Sequence, residues 1–210
     1  MLKAVETLML AGDRWDQATF AYTAFALITL FPTLRAAFKK VRLHTNGCSF
    51  KDSLHFGDEE KVQLQQHYSR IHGTLVFWKN AAEKYRSFHY YCLLWTIPIS
   101  VLIPIVTQAI SDGNGSKLFL TVVSSHAAVL LGLHKGLKIE NNFQAFRHGE
   151  SEFYDLYRRV LDTPEEFGDS KREQMTAYFK QAELIRRHVR NAETDNFPSL
   201  EEATEEAKKD

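Results

Sequence analysis

Two long apolar stretches, joined by a very short loop, constrain this chain more than any other feature. Residues 90–111 contain no charged side chain, and residues 118–134 are closed at both ends by lysines. Between them stands only the turn-like sequence SDGNGS, residues 111–116. A bilayer core of about 30 Å needs roughly 17–25 apolar residues per helix, so both stretches reach that scale. The loop allows only an antiparallel return, which predicts a transmembrane helical hairpin.

The composition of the whole chain conceals this hairpin, because the hairpin is a minority of the 210 residues. A quarter of the residues are charged and the formal net charge is zero, values that on their own suit a soluble protein. The charge is unevenly distributed, since residues 191–210 hold seven acids against two lysines. We therefore expect an acidic tail that is loosely packed or disordered, attached to a body with a positive balance.

Positive charge predicts the orientation of the hairpin. Basic residues flank both of its outer ends, whereas the connecting loop is followed by a single lysine. Basic flanks stay in the cytoplasm and short loops poor in lysine and arginine cross the membrane, so we expect both termini to be cytoplasmic. The flanking basic residues are Lys79, Lys84, Arg86, Lys135, Lys138 and Arg147.

The segment from Ala18 to Leu34 admits three interpretations. It is uncharged and approaches the length of a span, but threonines, alanines and a proline dilute it. It is a third span, a helix in the membrane interface, or a helix buried in a cytoplasmic domain. The basic residues directly after it suit either a cytoplasmic exit or contact with anionic lipid. We favour a buried or interfacial helix; a third span would place the extreme N-terminus outside.

Heptad-like spacing predicts that both membrane helices continue into the cytoplasm. Apolar residues from Leu64 to Tyr85 alternate steps of three and four, and residues 143–160 repeat the pattern with Glu150 as a polar interruption. These seams are expected to pack either as a two-helix stalk within one chain or between chains. Asp58 is a candidate N-cap for the first long helix.

A further helix is predicted to start at Thr163-Pro164-Glu165-Glu166, which has the composition of a capping box with proline at the first helical position. Apolar steps of three and four predict that this helix folds back along the stalk. We thus expect an all-α, oligomeric membrane protein with an N-terminal region 1–57, a hairpin with its stalk 58–162, a C-terminal helix 163–190 and the tail 191–210. The apolar positions of the last helix are Met175, Tyr178, Ala182, Ile185 and Val189.

The chain carries no sequence motif of a catalytic or metal site. Phosphate-binding loops, nucleophile elbows, zinc-peptidase motifs and paired cysteines do not occur in it, so we expect neither an enzyme nor a cofactor. Within residues 41–56, Asn46-Gly47 suits a β-hairpin or an irregular loop. His44, Cys48 and His55 are too loosely spaced for a convincing zinc site.

Polar side chains within the apolar stretches are candidates for lining a conduction path. Thr96, Ser100 and Thr107 fall on one side of the first helix, and His126 lies near the middle of the second. Hydroxyl groups also bond to their own helix backbone, whereas a histidine within a span usually faces other helices or water. One hairpin encloses no aqueous path, so a pore requires a homo-oligomer, for which the heptad seams offer a means.

The densest group of cations among the predicted cytoplasmic helices lies in the last one. Arg186, Arg187 and Arg190 suit an anionic ligand, because guanidinium groups form paired hydrogen bonds with phosphate. Arg158 and Arg159 form a second pair that would approach the first if the helix folds back. Cations are also common near helix C-termini, where the helix dipole favours them.

A helix containing WKNAAEKYRSFHYY enters a span with prolines, and after a tight loop the second span leads to FQAFRHGESEFYDLYRRVL. Over about residues 60–190 this layout resembles the SLATT family, the SMODS and SLOG-associating two-transmembrane effectors. The resemblance implies a bacterial inner-membrane effector that forms pores in anti-phage defence. It further implies homo-oligomers in membrane lipid, opened or closed by a nucleotide or oligonucleotide messenger from a partner nucleotidyltransferase. The alternative is a non-conducting membrane anchor or scaffold that recruits a soluble partner.

Overall fold

The computed structural model describes residues 14–40, 49–109 and 114–195, and all regular secondary structure in these ranges is helical. This confirms the all-α prediction for the described part of the chain. Short 3₁₀ turns occur at Phe50–Asp52 and Pro164–Phe167. The α-helices are α1 (Arg14–Phe38), α2 (Asp58–Ala109), α3 (Asn114–Gly136), α4 (Ile139–Asp162) and α5 (Lys171–Asp195).

The chain divides into two compact units. The first unit comprises residues 1–38 and 86–139, and the second comprises residues 39–85 and 140–210. Helix α2 is 52 residues long and contributes to both units, its first part to the second unit and its last part to the first.

Among the helices of the described ranges, three (α1, α2 and α3) are long and apolar enough to cross a membrane. The predicted hairpin accounts for two of them, and α1, which contains the ambiguous segment 18–34, is the third. No residue of α1 is buried, which contradicts the interpretation of α1 as a buried helix. Large apolar side chains on its surface, such as Ile28 and Phe31, are about two-thirds exposed, as lipid contact would require.

The first unit has its own apolar core between α2 and α3. Cys92, Trp95 and Ile99 of α2 pack there with Phe119 and Val123 of α3. Helix α1 adds one stripe of partly buried residues to this core. The stripe consists of Trp15, Ala18, Tyr22, Ala26 and Leu30, which lie on one face of the helix.

The second membrane helix was expected to continue into the stalk, and the structure instead places a turn between two separate helices. Helix α3 ends at Gly136, and α4 begins at Ile139. Between them Lys138 has a φ of 43°, in the left-handed region that a lysine adopts only at some energetic cost. The backbone N–H of Lys138 donates to the carbonyl of Lys135 at 3.0 Å, which closes the turn.

The second unit buries the predicted seam of α2 within the same chain. Leu64, Leu75 and Trp78 are among the seam residues in its core. Residues of α4 such as Phe153, and residues of α5 such as Tyr178, pack in the same core. The expectation that α5 folds back along the seam is thereby confirmed, and packing within one chain is the alternative that the structure supports.

The predicted cap at Thr163 is wrong. Thr163 makes no side-chain capping bond, and only a 3₁₀ turn follows it. Helix α5 instead starts at Lys171 behind a capping box formed by Ser170 and Glu173. The Ser170 Oγ accepts from the Glu173 N–H at 3.3 Å, and the Glu173 carboxylate accepts from the Ser170 N–H at 3.1 Å. Gly168 separates the turn from α5 at a φ of 140°, which favours glycine.

The segment in front of α2 contributes two buried aromatic residues, Phe50 and Phe56, to the core of the second unit. Phe50 is fully buried, and its ring centroid lies 4.6 Å from that of Tyr157. His55 donates from Nε2 to the Oε1 of Gln174 at 2.8 Å, a structural role for this histidine. The predicted turn at Asn46-Gly47, together with His44 and Cys48, lies outside the described residues.

Candidate functional site

The first candidate site is the hydroxyl-bearing side of α2 within the first unit. Ser100 and Thr107 are exposed and Thr96 is partly buried. Each hydroxyl donates to a carbonyl of its own helix, at 2.7 to 2.8 Å. Because those protons are committed to the backbone, the oxygen lone pairs of Ser100 and Thr107 remain available on the outer surface.

Two exposed prolines interrupt the backbone hydrogen bonds of the same helix, and Pro104 frees a carbonyl on the hydroxyl-bearing side. Pro98 and Pro104 lack an N–H, so the carbonyls of Leu94 and Ser100 lose the donor that normally follows four residues later. Exposed carbonyl oxygens are unfavourable in lipid and stable against water or a polar neighbour. The outer surface of α2 is therefore rich in hydrogen-bond acceptors and carries no charge over this stretch.

His126 faces the interior of the first unit. Its Nδ1 shares a hydrogen bond of 2.7 Å with the hydroxyl of Tyr22, and its ring contacts Trp95 at 5.2 Å between centroids. His126 thus joins α3 to α1, while Ser100 and Thr107 point outward. The structure does not bring this histidine together with the hydroxyls inside one chain.

Sequence reasoning missed the polar contacts that hold α1 against the hairpin. The indole N–H of Trp95 donates to the hydroxyl of Thr29 at 3.0 Å, and the hydroxyl of Tyr91 donates to the carbonyl of Ala26 at 3.3 Å. Interhelical bonds of this kind contribute about 0.6 kcal/mol each in a membrane. The threonines of the ambiguous segment were the available signal, since they recur along one apolar helix.

The contacts also define the direction of each helix in the first unit. The tilted rings of Trp15 and Phe119 lie 5.6 Å apart between centroids. Seven residues further along each helix, the hydroxyl of Tyr22 shares a hydrogen bond with His126. Helix α1 therefore runs parallel to α3. Helix α2 runs antiparallel to both, since His89 Nδ1 lies 2.9 Å from Nε2 of His134 near the end of α3. The basic residues Arg35, Arg86 and Lys135 consequently lie at one end of this unit.

The second candidate site is a cleft in the second unit, which we call the arginine cleft. It has a volume of about 230 Å³. The three arginines singled out from the sequence, Arg186, Arg187 and Arg190, all line it. The other lining residues are Thr74, Phe77, Trp78, Glu183 and Glu193. Sequence reasoning missed these, although Trp78 was visible as a member of the seam.

The arginine cleft combines cations with an aromatic wall. Phe77 is half exposed and contacts Phe146 edge to face at 5.6 Å, whereas Trp78 is buried behind it. Arg187 lies 3.7 Å from Glu183 in an exposed ion pair, which is worth at most about 1 kcal/mol and leaves the guanidinium available. Its volume of about 230 Å³ lies just below the range of about 300–1,000 Å³ that ligand pockets usually span.

The second arginine pair is not part of this cleft. Arg159 lies over the ring of Phe167, with its guanidinium carbon 5.9 Å from the ring centroid, and reaches Gln181 at 3.5 Å. Arg158 is exposed on α4. Neither residue lines the cavity formed by Arg186, Arg187 and Arg190.

Behind the cleft, His67 has a buried Nδ1 with no hydrogen-bond partner among the described residues. Burial, together with the positive charges of Arg70 and Arg186, lowers the pKa of His67 to about 4. The ring packs on Phe179 at 4.6 Å between centroids. His67 is therefore neutral at neutral pH, so it adds no positive charge beside the arginines.

Acidification should destabilise the second unit through His67. The pKa in the folded chain, about 4, lies below the ordinary value of 6.5, so the unfolded chain binds the proton more tightly. The free energy of unfolding that depends on a neutral His67 is fully present above about pH 6.5 and is lost as the pH falls toward 4. Melting of the detergent-solubilised chain between pH 7.5 and 5 should show a smaller loss in His67→Phe. His148→Gln, on exposed α4 surface, is the control and should match the unmodified chain.

Glu150, which interrupts the seam of α4, is a buried charge with two partners. Its carboxylate lies 3.0 Å from the guanidinium of Arg147 and 3.8 Å from the ammonium of Lys79. A buried carboxylate is tolerated when it is paired in this way. Its polar character is thus explained by packing within the chain, and it does not belong to the arginine cleft.

Comparison with protein-family models, with curated proteins and with solved structures found no match to this chain. The sites described above are therefore interpreted from their own geometry and chemistry.

Proposed function

We propose that this chain is an integral membrane protein with three spans. The parallel course of α1 and α3 supports this topology, because it gathers Arg35, Arg86 and Lys135 at one end of the first unit. With that end in the cytoplasm, all three spans obey the positive-inside rule. The C-terminus is then cytoplasmic and the N-terminus outside, which differs from the two-span expectation of two cytoplasmic termini.

Cysteine accessibility tests the number of spans. In a background with Cys48→Ser and Cys92→Ala, single cysteines are introduced at Asp16, Lys39 and Asn114, all of them exposed. Three spans predict labelling by an impermeant maleimide from outside at positions 16 and 114, and at 39 only after permeabilisation. Protection of position 16 in intact cells, with position 114 labelled, would instead indicate two spans.

The second part of the proposal is that copies of the chain assemble into an ion-conducting oligomer. The observation that carries it is the acceptor-rich outer surface of α2, formed by the hydroxyls of Ser100 and Thr107 and by the Ser100 carbonyl that Pro104 leaves without its helical donor. Such a surface is unfavourable against lipid and favourable against water. Thr96 extends it on the same helix, and His126 braces the neighbouring helix behind it.

Conductance of the purified protein in planar bilayers tests this part. Ser100→Leu and Thr96→Leu should each lower the single-channel conductance about tenfold or more, because a leucine in a narrow path favours dewetting. The oligomer size in detergent should stay unchanged. Val129→Leu, an exposed apolar position on α3, is the matched control and should conduct like the unmodified protein. Normal conductance in both variants would remove α2 from the path.

The third part is that an anionic ligand of the nucleotide class controls the protein through the arginine cleft. The cleft supports this with three guanidinium groups beside an exposed aromatic ring, which suit a phosphate and a base. Together with the resemblance to SLATT effectors, this suggests an effector of bacterial anti-phage defence in the inner membrane. A partner nucleotidyltransferase would supply the nucleotide or oligonucleotide, and the open oligomer would depolarise the cell.

A non-conducting anchor or scaffold is the second candidate. It is favoured by the burial of the α2 seam within one chain, which leaves that seam unavailable for oligomerisation. A membrane-potential dye in cells expressing the protein together with a nucleotidyltransferase discriminates between the two. Depolarisation that Ser100→Leu abolishes supports the effector. Unchanged potential, with monomers in detergent, supports the anchor.

A further inference from the structure

The helix that carries the arginine cleft also leads directly into the acidic end of the chain. Helix α5 ends at Asp195, and residues 196–210 follow it outside the described residues. Arg190 lies five residues before that end, a distance of about 7–8 Å along a helix. Fifteen residues span up to about 50 Å when extended, so residues 196–210 are much longer than a return to the cleft requires.

The chemistry of residues 196–210 complements that of the cleft. Five acids and two lysines give this segment a negative balance, opposite the three arginines. Its first five residues, NFPSL, are uncharged and include Phe197 and Leu200. These apolar side chains match the half-exposed ring of Phe77, which lines the cleft.

We propose that residues 196–210 occupy the arginine cleft of their own chain and exclude an anionic ligand from it. The proposal concerns regulation and rests on the proposed function of the cleft. Attachment to α5 raises the local concentration of the segment to about the millimolar range, so a weak intrinsic contact is sufficient. A ligand binds by displacing the segment, which sets a concentration threshold for activation.

Glu183 and Glu193 within the cleft do not remove the need for this counter-charge. Glu183 pairs with Arg187 through an exposed contact of 3.7 Å. In such an exposed pair the carboxylate offsets only part of the positive charge of the arginine. With two acids against three arginines, the cleft keeps a positive balance. The carboxylates in the second half of the segment, residues 201–210, match that balance.

Photo-cross-linking in the full chain tests the occupancy directly. A benzoylphenylalanine replaces Phe77, and the detergent-solubilised protein is irradiated and mapped by mass spectrometry. We expect cross-links to residues 196–210 within one chain, which mixing of isotopically light and heavy chains distinguishes from cross-links between chains. The same probe at Val62, exposed on α2 and fifteen residues earlier, is the control and should not reach the segment.

Two further measurements test whether the contact depends on charge and whether it competes with a ligand. Neutralising the five acids of the segment should reduce the yield of the cross-link about fivefold, and salt of about 0.5 M should have the same effect. The variant carries Glu201→Gln, Glu202→Gln, Glu205→Gln, Glu206→Gln and Asp210→Asn. Affinity for ATP, used as the nucleotide probe, should rise about tenfold in the neutral variant if the segment competes.

Absence of the cross-link in the unmodified chain, cross-links only between chains, or an unchanged ATP affinity in the neutral variant would each overturn the proposal. Cross-links that respond to charge, in a protein that binds no nucleotide in either form, would uphold the occupancy of the cleft. That result would overturn its assignment as a nucleotide site, so the two failures are distinguishable.

Discussion

Replacing Gly149 by alanine should destabilise the second unit by about 1–3 kcal/mol, the usual cost of overpacking a core. Gly149 is buried on α4 where it meets α5. A Cβ at this position would overlap Cγ2 of Val189, and it would lie 3.5 Å from the ring of Trp78. Val189 and Trp78 are themselves buried in the same core, so neither side chain has free space to move into.

Gly73 on α2 provides the matched control. An added Cβ there meets no atom within 4 Å, and alanine is the better helix former by about 1 kcal/mol. Gly73→Ala should therefore leave the melting temperature of the solubilised protein unchanged or raise it, while Gly149→Ala lowers it by several degrees. Val189→Ala should partly rescue Gly149→Ala because it removes the overlapping methyl group. Equal melting temperatures for the two glycine variants would contradict the close packing of α4 on α5.

Exchanging Arg186, Arg187 and Arg190 together for glutamine should lower the affinity for a phosphate-bearing ligand by at least about a hundredfold. A hydrogen bond to a charged group contributes about 1.5–3 kcal/mol, and two lost contacts already exceed a factor of one hundred. Arg187 alone should contribute least, because Glu183 competes for its guanidinium group. Titration calorimetry with ATP and with a short oligoadenylate measures the effect.

Arg158→Gln with Arg159→Gln is the control for loss of positive charge near the same helices. These residues lie outside the cleft, so the double variant should bind like the unmodified protein, apart from a modest change at low salt. In both the double variant and the unmodified protein, the affinity for the phosphate-bearing ligand should fall as the salt concentration rises. A ligand response that survives the triple exchange and disappears in the double variant would move the site to α4.

Local pattern predicts where most helices of this protein lie, although not where each of them begins and ends. The apolar stretches 90–111 and 118–134, and the steps of three and four from Leu64 to Tyr85, depend only on the order of residues in one segment. In a helix, residues three and four positions apart lie on one face, and the apolar faces defined in this way are those buried in the two cores. Arg186, Arg187 and Arg190 were found for the same reason, since they lie close together on one helix.

Contacts between distant segments were not accessible in this way. Thr163 and Ser170 both have the composition of a helix cap, and only the geometry of the chain after Gly168 selects Ser170. The sequence likewise left segment 18–34 with three interpretations. Its bonds from Tyr22 and Thr29 to His126 and Trp95 exist only once α1, α2 and α3 are assembled.

The sequence by itself therefore determined which segments have helical periodicity, which are apolar enough for a membrane and which helix carries the cations. Each of these properties is a periodicity or a composition within one helix, and it does not depend on a partner. Only the tertiary structure decided that α1 runs parallel to α3 and that the seam of α2 is buried within the same chain. It also decided that Phe77 and Trp78 line the same cleft as the arginines. Those features depend on which faces meet, and several pairings of amphipathic helices satisfy the same periodicity.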